Sequence, residues 1–376
     1  MKVVVAGAGI GGLTFAIALR RANIDVVILE RAEREGAEGA GLMLQINAMR
    51  ALRYLALEER VCAIGLPVHA GLGCDDRGRT LSELDMAGLS RELGAPIIAL
   101  HRGRLHALLR SELGEGVVRT SARVASFEER EDGVDAILDG GERVSGDLLV
   151  GADGLRSAVR ATMLADGEPC YAGYTSWRGV AKVAGLARAS TITETWGRGL
   201  RFGAVEIAAD ETYWFAVANA EPNERDDDPR AVVAARFAHF PEPVPAIVAA
   251  TDPSRVIRTD VHDRDPIDAF SRGRVALLGD AAHPTTPDLG QGGCLAIEDA
   301  VVLAKCLASM PYAPAFAEYD RKRVARTRKV VLDSRSFGKM GAIDSAIGVF
   351  FRNLALKSTP KSVVAKQSRK LVEFEL

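Results

Sequence analysis

The chain has 376 residues, 48% of them hydrophobic and 26% charged, with a formal net charge of −2. That composition excludes disorder, a fibrous repeat and a disulfide scaffold, and the near-neutral balance gives no basic field for a nucleic-acid partner. The length exceeds what one hydrophobic core usually supports and predicts two closely joined domains.

Cys62, Cys74, Cys170, Cys294 and Cys306 are widely spaced and form no C-x-x-C pair, the pattern of reduced thiols in a cytoplasmic protein. The histidines show no ligand spacing, so no metal is expected. No run of ~18 uninterrupted apolar residues occurs, which predicts no transmembrane segment.

The apolar run at residues 3–6 is followed at once by glycines and reads as a strand, not a signal peptide. A helix over about 12–22 and a strand over 26–29, closed by Glu30, complete one βαβ unit. Residues 66–96 read as turn-rich and irregular. The helical pattern returns at 104–113, ahead of strands around 117–126, Val134–Leu138 and Leu148–Gly151. Strands over 174–183, 200–207 and 212–219, with one helix near 230–239, suggest an antiparallel sheet. Residues 274–278 then read as a buried strand, followed by a Gly/Pro-rich loop and a long helix over 293–307, with Pro311 and Pro314 after its end. From Asp320 the chain is helical and rich in Lys and Arg, with an apolar stretch at 347–351. Its basic face is read as a solvated surface, with a membrane-surface or partner site as the alternative.

Three motifs carry chemistry. Gly7-Ala8-Gly9-Ile10-Gly11-Gly12 fits G-x-G-x-x-G, with glycines for a tight turn, for close approach of a pyrophosphate, and for helix-on-strand packing. The helix N-terminus behind them favours phosphate, and Glu30, followed by Arg31, stands where an acid accepts bonds from an adenosine ribose. This motif alone leaves FAD and NAD as alternatives. The run from Asp147 to Arg160 places Asp153-Gly154 after a buried strand, and the run from Arg274 to Pro284 ends another strand in Gly279-Asp280. The latter continues through Asp288, Gly290, Gln291, Gly292 and Gly293 into a helix. Taken singly, each of the two later runs also reads as a plain turn and cap.

Together the three runs resemble the FAD-dependent aromatic-ring monooxygenases of the para-hydroxybenzoate hydroxylase type, including urate, salicylate and hydroxynicotinate hydroxylases and zeaxanthin epoxidase, and the likeness extends over nearly the whole chain. The resemblance implies an α/β plus α+β fold. A Rossmann-type FAD-binding domain (1–70, 97–170 and 264–320) would be interleaved with an antiparallel-sheet substrate domain (71–96 and 171–263), and a helical C-terminal segment (321–376) would follow. It implies that Asp280 contacts the ribityl chain, that Asp153 serves both FAD and nicotinamide nucleotide, and that Arg102 in Leu100-His101-Arg102-Gly103 is a further flavin contact. One departure stands out: Ile46, in the segment from Gly39 to Ala48, replaces a proline common among relatives and leaves the local loop conformation open.

The implied reaction consumes NADH or NADPH and O2 and hydroxylates a small aromatic or heteroaromatic substrate through a flavin C4a-hydroperoxide, in a closed pocket that keeps water out. The helix beginning near Gly292 and Gly293 would turn its N-terminal dipole toward the reduced, anionic ring. Candidate substrate residues are Arg201, Tyr213, Asp288 and Arg178. Tyr213 or Asp288 would assist proton removal, while His283 is more simply a structural group. Rival readings are an FAD-dependent epoxidase or dehydrogenase, or a flavin-binding protein without catalysis. The chain is expected to be a monomer or homodimer.

Overall fold

The computed structural model describes residues 1–33 and 40–374, so Gly39 of the segment singled out above lies outside the described residues. A six-stranded sheet is centred on Lys2–Ala6, whose Val3, Val4 and Val5 are completely buried. An all-apolar run suits a parallel strand covered on both faces. Asp25–Leu29 and Val118–Arg119 extend the sheet to one side, and Leu148–Gly151 and Val275–Leu277 to the other, all in parallel. Ser271–Arg272 closes one edge antiparallel.

The helix Ile10–Arg21 packs against the helix Gly292–Ser309 at Gly11, where a Cβ would stand 3.2 Å from that of Ala296. Two three-stranded sheets complete this half: the meander Val124–Glu129, Val134–Leu138, Arg143–Gly146, and the set Gly41–Leu44, Ile98–His101, Gly65–Pro67.

The second large sheet has seven strands in the order Ile257–Asp263, Cys170–Ala181, Glu211–Asn219, Leu200–Ala208, Thr191–Trp196, Ala70–Asp75, Thr80–Asp85. All neighbours are antiparallel except Thr191–Trp196 with Ala70–Asp75. That parallel junction is where an early piece of chain enters a sheet otherwise made by later residues, because parallel neighbours need a long connection. One face of this sheet packs Trp177, Phe202 and Trp214 against Phe237, Phe240 and Ile247 in a separate aromatic core.

Three expectations are corrected. Residues 66–96, read as irregular, form two strands of the large sheet and the helix Met86–Leu93. Gly71 and Gly73 dilute the alternation in Ala70–Asp75, and the turn after it is held by the Asp75 carboxylate, which accepts from the Arg77 and Arg79 amides at 3.0 and 2.9 Å. The single strand expected at 117–126 is two, separated by Ser121 in the left-handed region (φ 52°), and they belong to different sheets. The last long helix begins at Tyr312, not near Asp320, and runs to Gly341. Pro314 lies in its first turn, where the amide a proline lacks has no helical acceptor.

The departure at Ile46 is also settled. Ile46 is the buried first residue of the helix Ile46–Tyr54, the position at which proline is well tolerated.

Candidate active site

The glycine motif is a working turn. Gly7 has φ +101°, and a Cβ there would stand 2.5 Å from the Ala152 carbonyl; a Cβ on Gly12 would stand 2.1 Å from the Gly7 carbonyl. Only glycine allows strand, turn and helix to approach so closely. Gly9 differs: it has an ordinary φ of −71°, and nothing lies within 4 Å of a Cβ built on it. It is the N-cap of Ile10–Arg21 and supplies no side-chain cap, so the first amides of that helix are left for an anion. Glu30 already accepts from the amides of Ala8 (2.7 Å) and Ala32 (2.9 Å), tying the turn to the end of the second strand. Arg31 beside it is exposed and has no side-chain partner among the described residues.

Asp153 braces the start of the helix Ala158–Leu164, whose cap is Ser157, accepting from the Ala158 amide at 2.8 Å and from the Ser157 hydroxyl. Burial pushes its carboxyl above the usual range. Gly154 follows at φ +84° with open space around it.

Asp280 is exposed, with Oδ1 3.7 Å from a Cβ built on Gly292 at the start of Gly292–Ser309. Crowding by protein on its other sides raises its carboxyl, while His283 and Arg102 pull the other way. The Arg102 guanidinium is itself exposed and has no partner among the described residues. Gly290 takes a left-handed φ of +63°, and Gly293 faces Leu42 at 3.5 Å.

The loop between Asp280 and Gly293 is fixed from two sides. Gln45 Nε2 donates to the Leu289 carbonyl at 3.0 Å, and Asn47 Nδ2 donates to Gln291 Oε1 at 2.9 Å. Behind the loop, Asp299 accepts from the Gly279 amide (2.9 Å), from His283 and from Arg323 (2.6 Å), while Arg323 also pairs with Glu298. His283 is 2% exposed and committed to Asp299, which places it as a structural support. Burial opposes ionisation of Asp299, but His283 and Arg323 hold its carboxyl well below the usual range.

Strand register puts all the candidate substrate residues of the large sheet on one face. Arg201 lies opposite Val217, Tyr213 opposite Val180, and Arg178 opposite Phe215, so their side chains share the face away from the aromatic core. The same alternation adds Tyr174, Glu194 and Trp196, which the sequence reading did not single out. Tyr174 is four residues before Arg178 on one strand, and that spacing was the available signal.

The structure brings together two of the four candidates. Arg201, 3% exposed, pairs with Asp288 from the loop and with Glu194 at 3.4 Å. The Tyr174 hydroxyl donates to the other oxygen of Asp288, and the Arg201 guanidinium stands 5.5 Å from the Trp196 ring. Burial weakens the charge on Arg201, but Glu194 and Asp288 together leave it more basic than usual. Burial raises both Glu194 and Tyr174.

Tyr213 stands apart from this cluster, its ring against Gly41, where a Cβ would lie 2.2 Å from Cγ. Crowding raises its phenol, with Arg178 opposing, which disfavours the phenolate a base would need. Arg178 is half-buried and donates to Thr259 Oγ1 at 2.9 Å, with its Nε unpartnered.

Open space at Gly9, uncapped amides behind it, an exposed carboxylate at Asp280 and an unpaired Arg102 fit a long anionic nucleotide with a polyol chain.

Comparison with known proteins agrees. The family model described as "FAD binding domain" matches residues 1–334. The chain is 43% identical over its full length to "Aurachin C monooxygenase/isomerase" of Stigmatella aurantiaca, covering 98% of that protein. It is 36% identical to "FAD-dependent urate hydroxylase" of Klebsiella pneumoniae, with 89% of each chain covered. Among solved structures, Klebsiella pneumoniae HpxO complexed with FAD and uric acid superposes with a TM-score of 0.93 at 32% identity, covering 99% of this chain and 96% of that one. The matched model spans both the glycine turn and the Gly279-Asp280 loop, and the likeness runs the whole length of the fold: the chain belongs to the FAD-binding-domain family and is an FAD-dependent monooxygenase.

Proposed function

We propose that the enzyme uses NADH or NADPH and O2 to hydroxylate a small aromatic or heteroaromatic substrate held between the Asp280–Gly293 loop and the polar face of the seven-stranded sheet. The observation that carries this reading is the buried pair Arg201–Asp288, which joins sheet to loop where the two meet. Relatives named for action on urate and on 3-amino-4-hydroxybenzoate, both polar rings, support the substrate class.

FAD, when bound, supplies reduction by the nicotinamide nucleotide and activation of O2 by the route the family resemblance implies. Gly7, Gly9, Gly11, Gly12, Glu30 and Arg31 would hold its adenosine end and pyrophosphate. Arg102, Asp153, Gly154 and Asp280 would hold the centre of the molecule, and Gly290, Gly292 and Gly293 the ring. The amides at the start of Gly292–Ser309, which no side chain caps, would present positive charge to that ring.

Arg201 and Asp288 form the polar wall of the substrate space. With its charge shared between Asp288 and Glu194, Arg201 keeps N–H donors for an anionic substrate oxygen. Tyr213, protonated, donates to substrate, and Arg178 stands beside it on the sheet. Of the two residues first considered for proton removal, this leaves Asp288, held by Tyr174 and Arg201.

The test is consumption of NADH and NADPH by the purified yellow protein with phenols, aminobenzoates, hydroxynicotinates and purines, followed by mass analysis under 18O2. One labelled oxygen atom in the product supports the reading. Oxidised product without label establishes a dehydrogenase, and turnover with no ring accepted removes the proposal.

A further inference from the structure

The helix Ala346–Ser358 has its polarity reversed. Ile347, Phe350, Phe351 and Leu354 are 74%, 63%, 61% and 50% exposed. Their spacing of i, i+3, i+4, i+7 lays them along one stripe, the pattern that normally faces a core. The protein-facing side instead carries Arg352, 4% exposed, which donates to the Gly197 carbonyl at 2.9 Å and stands 5.3 Å from the Trp196 ring. The fold therefore buries the arginine of this helix and leaves its apolar stripe in water. Packing inside the chain does not account for that arrangement.

The charge carried by this stretch of chain has one sign. Between Ala346 and Val372 the chain carries Arg352, Lys357, Lys361, Lys366, Arg369 and Lys370 and no Asp or Glu. Lys361 pairs with Glu83, and Arg369 with Glu92. Lys357, Lys366 and Lys370 are exposed, with no acidic partner among the described residues.

We propose that Ala346–Ser358 is a docking element for an anionic membrane surface: its four apolar side chains enter the headgroup boundary while the lysines around them meet lipid phosphates. A helix of 13 residues is only ~20 Å long, short of the ~30 Å hydrocarbon core, so it lies in the plane of the membrane. No helix of the described residues is long and apolar enough to cross one.

A second copy of the chain is the less suitable occupant. It would bring two all-cationic segments together, and four side chains fall well short of the ~800 Å² per partner of a stable interface. An anionic bilayer neutralises the same charge, each lysine near the surface strengthening attachment about fivefold. The docking helix also bears on the substrate space: Arg352 and Arg201 flank the Trp196 ring at 5.3 and 5.5 Å, and Asn219 donates to the Ala342 carbonyl just before the helix.

The experiment is co-sedimentation of the full-length, FAD-loaded protein with vesicles of phosphatidylglycerol and phosphatidylcholine, and with phosphatidylcholine alone. The expected result is partition onto the anionic vesicles that weakens with salt. It should weaken at least about tenfold in Phe350→Ser with Phe351→Ser, and clearly in Lys357→Gln with Lys366→Gln and Lys370→Gln. Since these side chains face water, both variants should keep their flavin absorbance and circular dichroism, which separates lost docking from lost fold. Absence of vesicle binding at low salt overturns the proposal, as does binding that neither variant reduces. A concentration-dependent dimer in sedimentation velocity that the phenylalanine pair abolishes would reassign the face to a second copy.

Discussion

Arg201 and Asp288, 87 positions apart in the chain, meet as a buried ion pair that fastens the Asp280–Gly293 loop to the polar face of the large sheet. The side chains are 3% and 0% exposed, and Glu194 and Tyr174 complete the hydrogen bonding around them. A buried pair of this kind adds little net stability over an apolar pair of the same shape, but removing one partner strands the other. Its retention in an enzyme core is therefore better explained by position and charge than by folding.

Arg201→Gln should leave Asp288 and Glu194 without their cation. We expect kcat/KM to fall by roughly 100-fold or more and stability by about 3 kcal/mol, with FAD still bound. Substrate-dependent NAD(P)H oxidation, flavin absorbance and a thermal melt measure the three separately. Unchanged kinetics would take Arg201 out of the site.

The glycines of the first turn should separate into two classes. Gly12→Ala places a Cβ 2.1 Å from a backbone carbonyl and should destabilise the fold by a few kcal/mol. Gly9→Ala meets no protein atom within 4 Å, so its melting temperature without flavin should stay within about 2 °C of the parent while FAD affinity drops. Equal flavin affinity in Gly9→Ala and the parent would move the pyrophosphate elsewhere.

Asp280→Ala removes an exposed carboxylate that caps nothing and, among the described residues, bonds to nothing. The chain should fold normally and lose yellow colour on gel filtration, with affinity down at least about tenfold, as expected for one charge-assisted hydrogen bond. Full flavin occupancy would count against the ribityl contact.

The acid limb of stability should trace to Asp299 and Glu298. Their carboxyls are held below the usual range in the fold, so the native state binds protons less readily than the unfolded chain. The stabilisation is complete above about pH 5 and declines as pH falls through about 4 and below. Asp299→Asn should be less stable at pH 7 and show a shallower loss of melting temperature between about pH 5 and 3. A parallel decline in both proteins would place the acid-sensitive group elsewhere.

The sequence by itself determined the local devices. A glycine turn after a valine-rich strand, an acid closing the next strand, and Gly-Asp after a third strand follow from backbone sterics and hydrophobic period, which act over a few residues. Those signals pointed to a dinucleotide, and the likeness of all three runs to one family narrowed it to FAD; the order of the parallel sheet came from the structure. Gly71 and Gly73 hid the strand Ala70–Asp75 because a residue without a side chain carries no alternation, and the left-handed Ser121 divided what read as one strand.

Only the tertiary structure decided what faces what. Arg201 and Asp288 were candidates independently, but their union with Tyr174 and Glu194 depends on strand register and on a loop anchored by Gln45 and Asn47 from a distant helix. The partner that makes His283 a support, Asp299, came from the structure, and the 347–351 stretch became a surface once Arg352 was found on the inside of its helix. Contacts between separate elements leave no periodic trace in a single chain, and it is these contacts that set burial, charge and the direction each side chain points.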